Sequence, residues 1–352
     1  MIIVSNCLTN TADEGCRTVA VNLIRRIKAL LPESTIAADR PGVKGSDLCL
    51  PMNKLMLNAG VIRLVRRAKQ PVLHVPSPTR SLPAAVRMFI MSLYARHGLY
   101  VLITMHYPIP RAAALLMKMS RAHVITISQQ AHQAYRKVIG ERAMYIRMAV
   151  DTERFQPVSA QQKAELRRKY GLPQDKIIAL HVGHLNEGRN VGQMLKLDDR
   201  FHGVLIISTQ TADQRDLALR RQLEAKPNLT LIDTFVPSIE EYYQLSDVYF
   251  FPVEEEGHCI DVPISALEAA ACGIPVAGTP YGELACLMGR DGFEQIASFE
   301  AEKLNEQLFR LAGKTTDPRP SALAYDWQSA AQSVLTTATK GKRRLAAQDK
   351  QA

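Results

Sequence analysis

Short apolar runs alternate with helical repeats along almost the whole chain, and the alternation breaks once and then begins again. Residues 2–5 form an apolar run that stops at a polar loop. From 18 to 31, Val19, Leu23, Ile27 and Leu30 recur at helical spacing until Pro32 ends the pattern. Runs at 71–75, 100–104 and 124–127 predict further strands, and 82–94 and 111–119 predict helices. In the first of these helices Val86, Phe89, Ile90 and Leu93 share one side. A charged stretch at 157–174 then predicts a surface helix and a domain junction. Beyond it, strands are expected at 177–182, 203–208, 230–232, 248–252 and 274–277, and helices at 217–223, 240–245 and 265–272. Strand-then-helix order is what a parallel, doubly wound sheet requires. At roughly 100–200 residues per domain, the 352 residues make two such domains, expected at 1–160 and 172–320. Open parallel sheets bind ligands beyond the carboxyl ends of their strands. Two such domains predict a cleft lined by the loops that follow strands.

Charge divides the chain in the same place. Residues 1–150 hold 21 Lys/Arg against 6 Asp/Glu, a net +15, whereas the remainder holds 23 against 28, a net −5. No acidic residue occurs between Leu48 and Gly140, a stretch with 13 Lys/Arg. That asymmetry predicts an anionic partner for the first half: a membrane surface, a phosphorylated lipid or nucleic acid. A merely solvated basic face is the bland alternative. Aromatic content of 6% and the lack of a nucleic-acid module argue against nucleic acid. The opening Met1-Ile2-Ile3-Val4 is too short for a secretory signal, and no run approaches the roughly 18 apolar residues of a spanning helix. A cytoplasmic protein, or one peripheral on the cytoplasmic membrane face, is expected. The six cysteines form no CxxC pair and are expected to be reduced thiols.

The segment from Val248 to Leu284 carries the most chemistry. A buried strand ends at Pro252, an acidic Gly-containing loop follows, and a small-residue helix with Glu268 in its first turn is capped by Gly273. Ala269, Ala270 and Ala271 let that helix lie close to a sheet. A carboxylate there can accept hydrogen bonds from two vicinal hydroxyls, as acidic residues do for ribose in nucleotide folds. Alternatively, Glu268 only complements the helix dipole.

Leu267-Glu268-Ala269-Ala270-Ala271-Cys272-Gly273-Ile274-Pro275-Val276 resembles the signature of the GT4 family of glycosyltransferases. That family carries a further Glu eight positions before the Glu268 equivalent. Here Ile260 stands there with Asp261 beside it, and Glu256-Gly257 lies farther upstream. Three other segments are similar to the family in the same order along the chain. His181-Val182-Gly183-His184-Leu185 through Arg189 resembles its Val-Gly-Arg-Leu loop followed by Lys, with His184 at the Arg position and Arg189 at the Lys position. His106 stands after a strand, where the family often has a His beside the transferred sugar. Met148 through Phe155 resembles its Asn-Gly-Val-Asp-x-x-x-Phe, and Gly15 is what remains of its first glycine-bearing loop. Tyr325-Asp326-Trp327 is similar to the Ser-Trp that precedes a closing helix, expected at 325–340 and returning to the first domain.

The resemblance implies a GT-B fold, two Rossmann-like α/β domains, and a retaining, metal-independent glycosyltransferase with no cofactor beyond its nucleotide-sugar donor. It implies Glu268 on the donor ribose and Arg189 on the diphosphate, with His184 and Gly183 beside it and Gly15 facing phosphate or acceptor. His106 falls at the transferred sugar, and Asp261 or Glu256 on its hydroxyls. Retention follows when departure and attack share one sugar face and the donor phosphate helps take the acceptor proton. The acceptor is expected to be a glycan or lipid-linked molecule of cell-surface polysaccharide or glycoconjugate synthesis. Two rival readings are a non-catalytic sugar-nucleotide-binding scaffold and a nucleic-acid-binding protein.

Overall fold

The computed structural model describes residues 1–10, 14–207 and 216–348, with side chains through 339. Ser208, the last residue of the strand expected at 203–208, and Asp13, in the polar loop after residues 2–5, lie outside the described residues. The chain divides into two compact units. Unit 1 is Met1–Met148 with Ile260–Val262 and Trp327–Ala352, and unit 2 is Ala149–Cys259 with Pro263–Asp326.

Unit 1 is built on a sheet of seven parallel strands among the described residues. They are β1 (Ile2–Ser5), β2 (Thr35–Ala38), β3 (Leu48–Cys49), β4 (Val72–Val75), β5 (Leu99–Ile103), β6 (His123–Thr126) and β7 (Ala143–Tyr145). Their helices are α1 (Gly15–Leu30), α2 (Ala59–Arg67), α3 (Ser81–Tyr94), α4 (Arg111–Met119) and α5 (Gln129–Ile139). All five residues of β5 and all four of β4 are buried, because helices on the faces of a parallel sheet leave no wet side. The order β3-β2-β1-β4-β5-β6-β7 reverses direction at β1. Ile3 lies opposite Ile36 on one side and Leu73 on the other, so the loops after β1 and β4 flank the switch point where such sheets bind ligands.

Unit 2 repeats the plan with β8 (Ile177–Gly183), β9 (Phe201–Ile207), β10 (Leu229–Ile232), β11 (Val248–Phe251), β12 (Val276–Gly278) and β13 (Phe293–Gln295). Its helices are α6 (Ala160–Lys169), α7 (Leu217–Glu224), α8 (Ile239–Gln244), α9 (Ile264–Ala271), α10 (Ala301–Gly313) and α11 (Arg319–Leu323). The order β10-β9-β8-β11-β12-β13 puts its switch point between β8 and β11. A last helix, α12 (Trp327–Gln348), joins unit 1 and packs against α1.

Several expectations need correction. The charged stretch at 157–174 is not a junction: α6 is held within unit 2 by Arg167 at 2.6 Å and Lys163 at 2.8 Å from the Asp247 carboxylate. The division falls instead between Met148 and Ala149. Helix α9 begins at Ile264, so Glu268 is its fifth residue and lies beyond the first turn, where the dipole is strongest. On α3 the buried stripe is Ala84, Arg87, Met88 and Met91, spaced i, i+3, i+4, i+7. Phe89 and Ile90 are only half-buried, and Leu93 is 62% exposed.

Candidate functional site

In unit 2 the loop that leaves β8 shapes a cationic niche. Gly183 ends the strand and Glu187–Arg189 forms one 3-10 turn, capped by the Asn186 side chain, which accepts from the Arg189 N–H at 3.1 Å. Asn190 follows in the left-handed conformation, with φ 53°. The turn folds the Arg189 side chain back under Gly183. A Cβ on Gly183 would lie 3.0 Å from Arg189 Nη1 and 3.1 Å from His181 Nε2, so glycine leaves the space the guanidinium occupies. Arg189 is 7% exposed, its Nε has no hydrogen-bond partner, and no carboxylate among the described residues pairs with it. A buried cation without a counter-charge is costly, and a bound anion relieves that cost. His184 is pushed down to about 4 by burial and then by the charge of Arg189, so it is neutral at pH 7.

The loop after β11 approaches the same turn. Glu254 accepts from Asn190 Nδ2 at 3.1 Å, and the His258 ring occupies the place a side chain on Gly188 would take. Glu256 is exposed on this loop.

Glu268 is placed by packing that sequence patterns did not disclose. Ala266, Ala269, Ala270 and Ala271 are fully buried, which seats α9 close to the strands. The Tyr243 hydroxyl, on α8, donates to Glu268 Oε2 at 2.7 Å. Phe155 meets the Tyr243 ring edge-on at 5.5 Å between centroids. The Asp151-to-Phe155 motif thus reaches Glu268 through Tyr243, which the sequence reading missed. Burial lifts the Glu268 carboxyl to about 7, opposed first by the Tyr243 hydrogen bond and then by the charge of Arg154.

The remaining expected residues gather in unit 1. Asp261 is 6% exposed and belongs with Ile260–Val262 to this unit. Its N–H donates to the Thr104 carbonyl at 2.9 Å. Its carboxylate accepts from the His106 N–H at 2.7 Å and from the Ser128 hydroxyl at 3.2 Å. Asp261 thus fixes the loop that carries His106 through both of its carboxylate oxygens. The His106 ring meets Tyr135 edge-on at 6.2 Å. Gly15 opens α1, where a Cβ would come within 2.8 Å of Ile260 Cδ1. Gly183, His184, Arg189, Glu256 and Glu268 lie in unit 2, and Gly15, His106 and Asp261 in unit 1. Among the described residues no group of three or more His, Cys, Asp or Glu is arranged to hold a metal ion, and no helix is long and apolar enough to cross a membrane.

Comparison with known proteins bears on the second unit most directly. Residues 189–314 match the family model described as "Glycosyl transferases group 1". A Bacillus subtilis (strain 168) protein assigned to teichuronic acid biosynthesis as a glycosyltransferase is 23% identical over 215 residues, 61% of this chain and 53% of the relative. A D-inositol 3-phosphate glycosyltransferase of Geodermatophilus obscurus is 25% identical over 237 residues, 60% of this chain and 50% of the relative. The chain thus spans about half the length of the curated relatives it matches. Among solved structures, Anabaena HepE in complex with UDP and glucose superposes with a TM-score of 0.72 at 16% identity, covering 96% of this chain and 99% of that one. Residues 189–314 therefore resemble the glycosyl transferases group 1 in sequence, and the chain has the GT-B fold, with two Rossmann-like α/β units.

Proposed function

We propose that this chain is a retaining glycosyltransferase that takes a nucleotide sugar on unit 2 and an acceptor on unit 1. The observation that carries the reading is Arg189, a buried guanidinium without a carboxylate partner, set under Gly183 at the switch point of unit 2. It suits a diphosphate leaving group, whose developing charge a fixed cation stabilises without a metal. Glu268, already oriented by Tyr243, takes the ribose hydroxyls with its remaining acceptor positions. His106, whose N–H is held by Asp261, is the residue this reading assigns to the transferred sugar. The donor phosphate takes the acceptor proton as the sugar departs, so attack and departure share one face. HepE, with UDP and glucose in its complex, supports a nucleoside diphosphate sugar as donor. The name of the Bacillus relative supports a cell-surface polysaccharide or glycoconjugate as product.

The same reading brings unit 1 to an anionic membrane and a lipid-linked acceptor. Arg63, Arg66, Arg67 and Lys69 are all exposed on or beside α2, and none is in an ion pair among the described residues. Leu82 and Leu93 on α3 are exposed as well. Basic side chains beside apolar ones suit interfacial binding.

A second reading, a non-catalytic sugar-nucleotide binder, is favoured by the neutral His184 and by the engagement of Asp261 within unit 1. Incubation with a panel of nucleotide sugars in EDTA, reading release of nucleoside diphosphate, separates the two. Release supports the transferase. Binding without release, with every acceptor class supplied, supports the scaffold.

A further inference from the structure

The buried stripe of α3 contains a charge. Arg87 is 1% exposed, among the largest fully buried side chains of the molecule. Its Nη1 reaches Met56 Sδ at 3.0 Å and its Nη2 donates to Thr79 Oγ1 at 3.3 Å, while Nε has no hydrogen-bond partner. No carboxylate among the described residues pairs with it. Its titratable neighbours are His74, the Tyr135 phenol and Cys7, whose pKa lies below the usual thiol value, first through a hydrogen bond with Cys16, and which favours the charge on Arg87. His74 is pushed down to about 3 by burial and then by the charge of Arg87, so it is neutral. Burial raises the Tyr135 phenol, which stays un-ionised at pH 7. Burial likewise depresses Arg87, to about 10, which still leaves it charged at neutral pH.

Arg87 lines a small recess open to solvent beyond the ends of β4 and β5, with Ser77, Thr79, Thr104 and Met105 around it. Thr104 Oγ1 is buried there without a hydrogen-bond partner. The Ser77 N–H donates to Asn6 Oδ1 at 2.8 Å, tying the loop after β4 to the loop after β1. The recess therefore lies beside the switch point of the unit 1 sheet. Exposed Arg80 adds a second cation to the same loop. An uncompensated buried guanidinium is strongly destabilising unless something bound supplies the opposite charge. A guanidinium with a hydroxyl beside it matches the oxygens of a carboxylate or a phosphate.

We propose that this recess binds an oxyanion, the carboxylate or phosphate group of the molecule that unit 1 takes. On the reading of unit 1 as the acceptor side, on which this second clause rests, the acceptor is an acidic sugar or a phosphorylated compound.

The test is thermal melting of the full chain at constant pH and ionic strength, titrated with inorganic phosphate, with glucuronate, and with glucose as the uncharged control. Arg189→Ala serves as the background, so that anions at unit 2 do not contribute. The expected result is a saturable rise of about 3 °C with phosphate, glucuronate or both, and none with glucose. Phosphate alone identifies a phosphorylated ligand, glucuronate alone an acidic sugar, and both the shared chemistry. Adding Arg87→Met, which keeps length and removes charge, abolishes the rise without lowering the melting temperature in the absence of anion. Should that variant fail to fold, Thr104→Val is expected to weaken the titration midpoint at least about threefold. No rise up to about 50 mM anion, or a rise that survives in the foldable variant, overturns the proposal. Uridine diphosphate titrated into the wild type reports on the donor reading separately. Its failure to bind removes the glycosyltransferase reading and leaves the oxyanion recess standing.

Discussion

The hydroxyl of Tyr243 donates to the carboxylate of Glu268 at 2.7 Å, across 25 residues of sequence. The bond fixes one oxygen of Glu268 and leaves the carboxyl with a pKa raised to about 7, mainly by burial. Folded protein therefore holds a proton on Glu268 that unfolded chain has lost between about pH 4.5 and pH 7. Over that window stability falls as pH rises, and it levels off above the folded value. Glu268→Gln is expected to remove this slope and to stabilise the ligand-free protein at pH 8. Denaturant unfolding at several pH values measures it; an unchanged slope in the variant shows that Glu268 does not titrate there.

Tyr243→Phe removes the donor that orients Glu268. The carboxyl then titrates higher still, and affinity for a nucleotide sugar at pH 7 falls about tenfold, the loss of one hydrogen bond to a charged group. Calorimetry on the folded variant checks this, and equal affinity would separate Tyr243 from the donor site.

Much of this fold was legible, and the reasons differ by element. Buried parallel strands are continuous apolar runs, so β1 and β5 could be read directly. By contrast β2 is Thr-Ile-Ala-Ala and β3 only two residues, too short and too alanine-rich to stand out. The contacts that define the sites are long-range. Asp261 meets His106 and Ser128 from 155 and 133 residues away, and no local spacing encodes either pairing. Arg87 could have been recognised, since it shares a helical face with Ala84, Met88 and Met91. The prior that arginine is a surface residue hid it.

Asp261→Ala should leave the His106 N–H and the Ser128 hydroxyl without their partner and destabilise the protein by about 2–3 kcal/mol. Asp261→Asn, keeping one acceptor, should cost roughly half of that. Urea unfolding distinguishes the two, and an alanine variant as stable as wild type would show that the carboxylate is not a structural anchor.

Membrane docking has its own test. Wild-type protein should co-sediment with vesicles of rising anionic lipid content at low salt. Changing Arg63, Arg66 and Arg67 together to Gln should weaken this by about 3 kcal/mol, near 1 kcal/mol for each charge. Equal sedimentation of the triple variant, or none by wild type, points to a soluble acceptor.

Calorimetric titration of a nucleoside diphosphate sugar in EDTA, on wild type and on Arg189→Ala, bears most directly on the claim that unit 2 holds the donor through Arg189. Removing a buried charged partner costs about 2–3 kcal/mol or more, so affinity should fall at least about thirtyfold while Gly183→Ala, which crowds the guanidinium, loses part of it. A donor that binds wild type and Arg189→Ala equally well, or that binds only when a divalent metal is restored, contradicts the account.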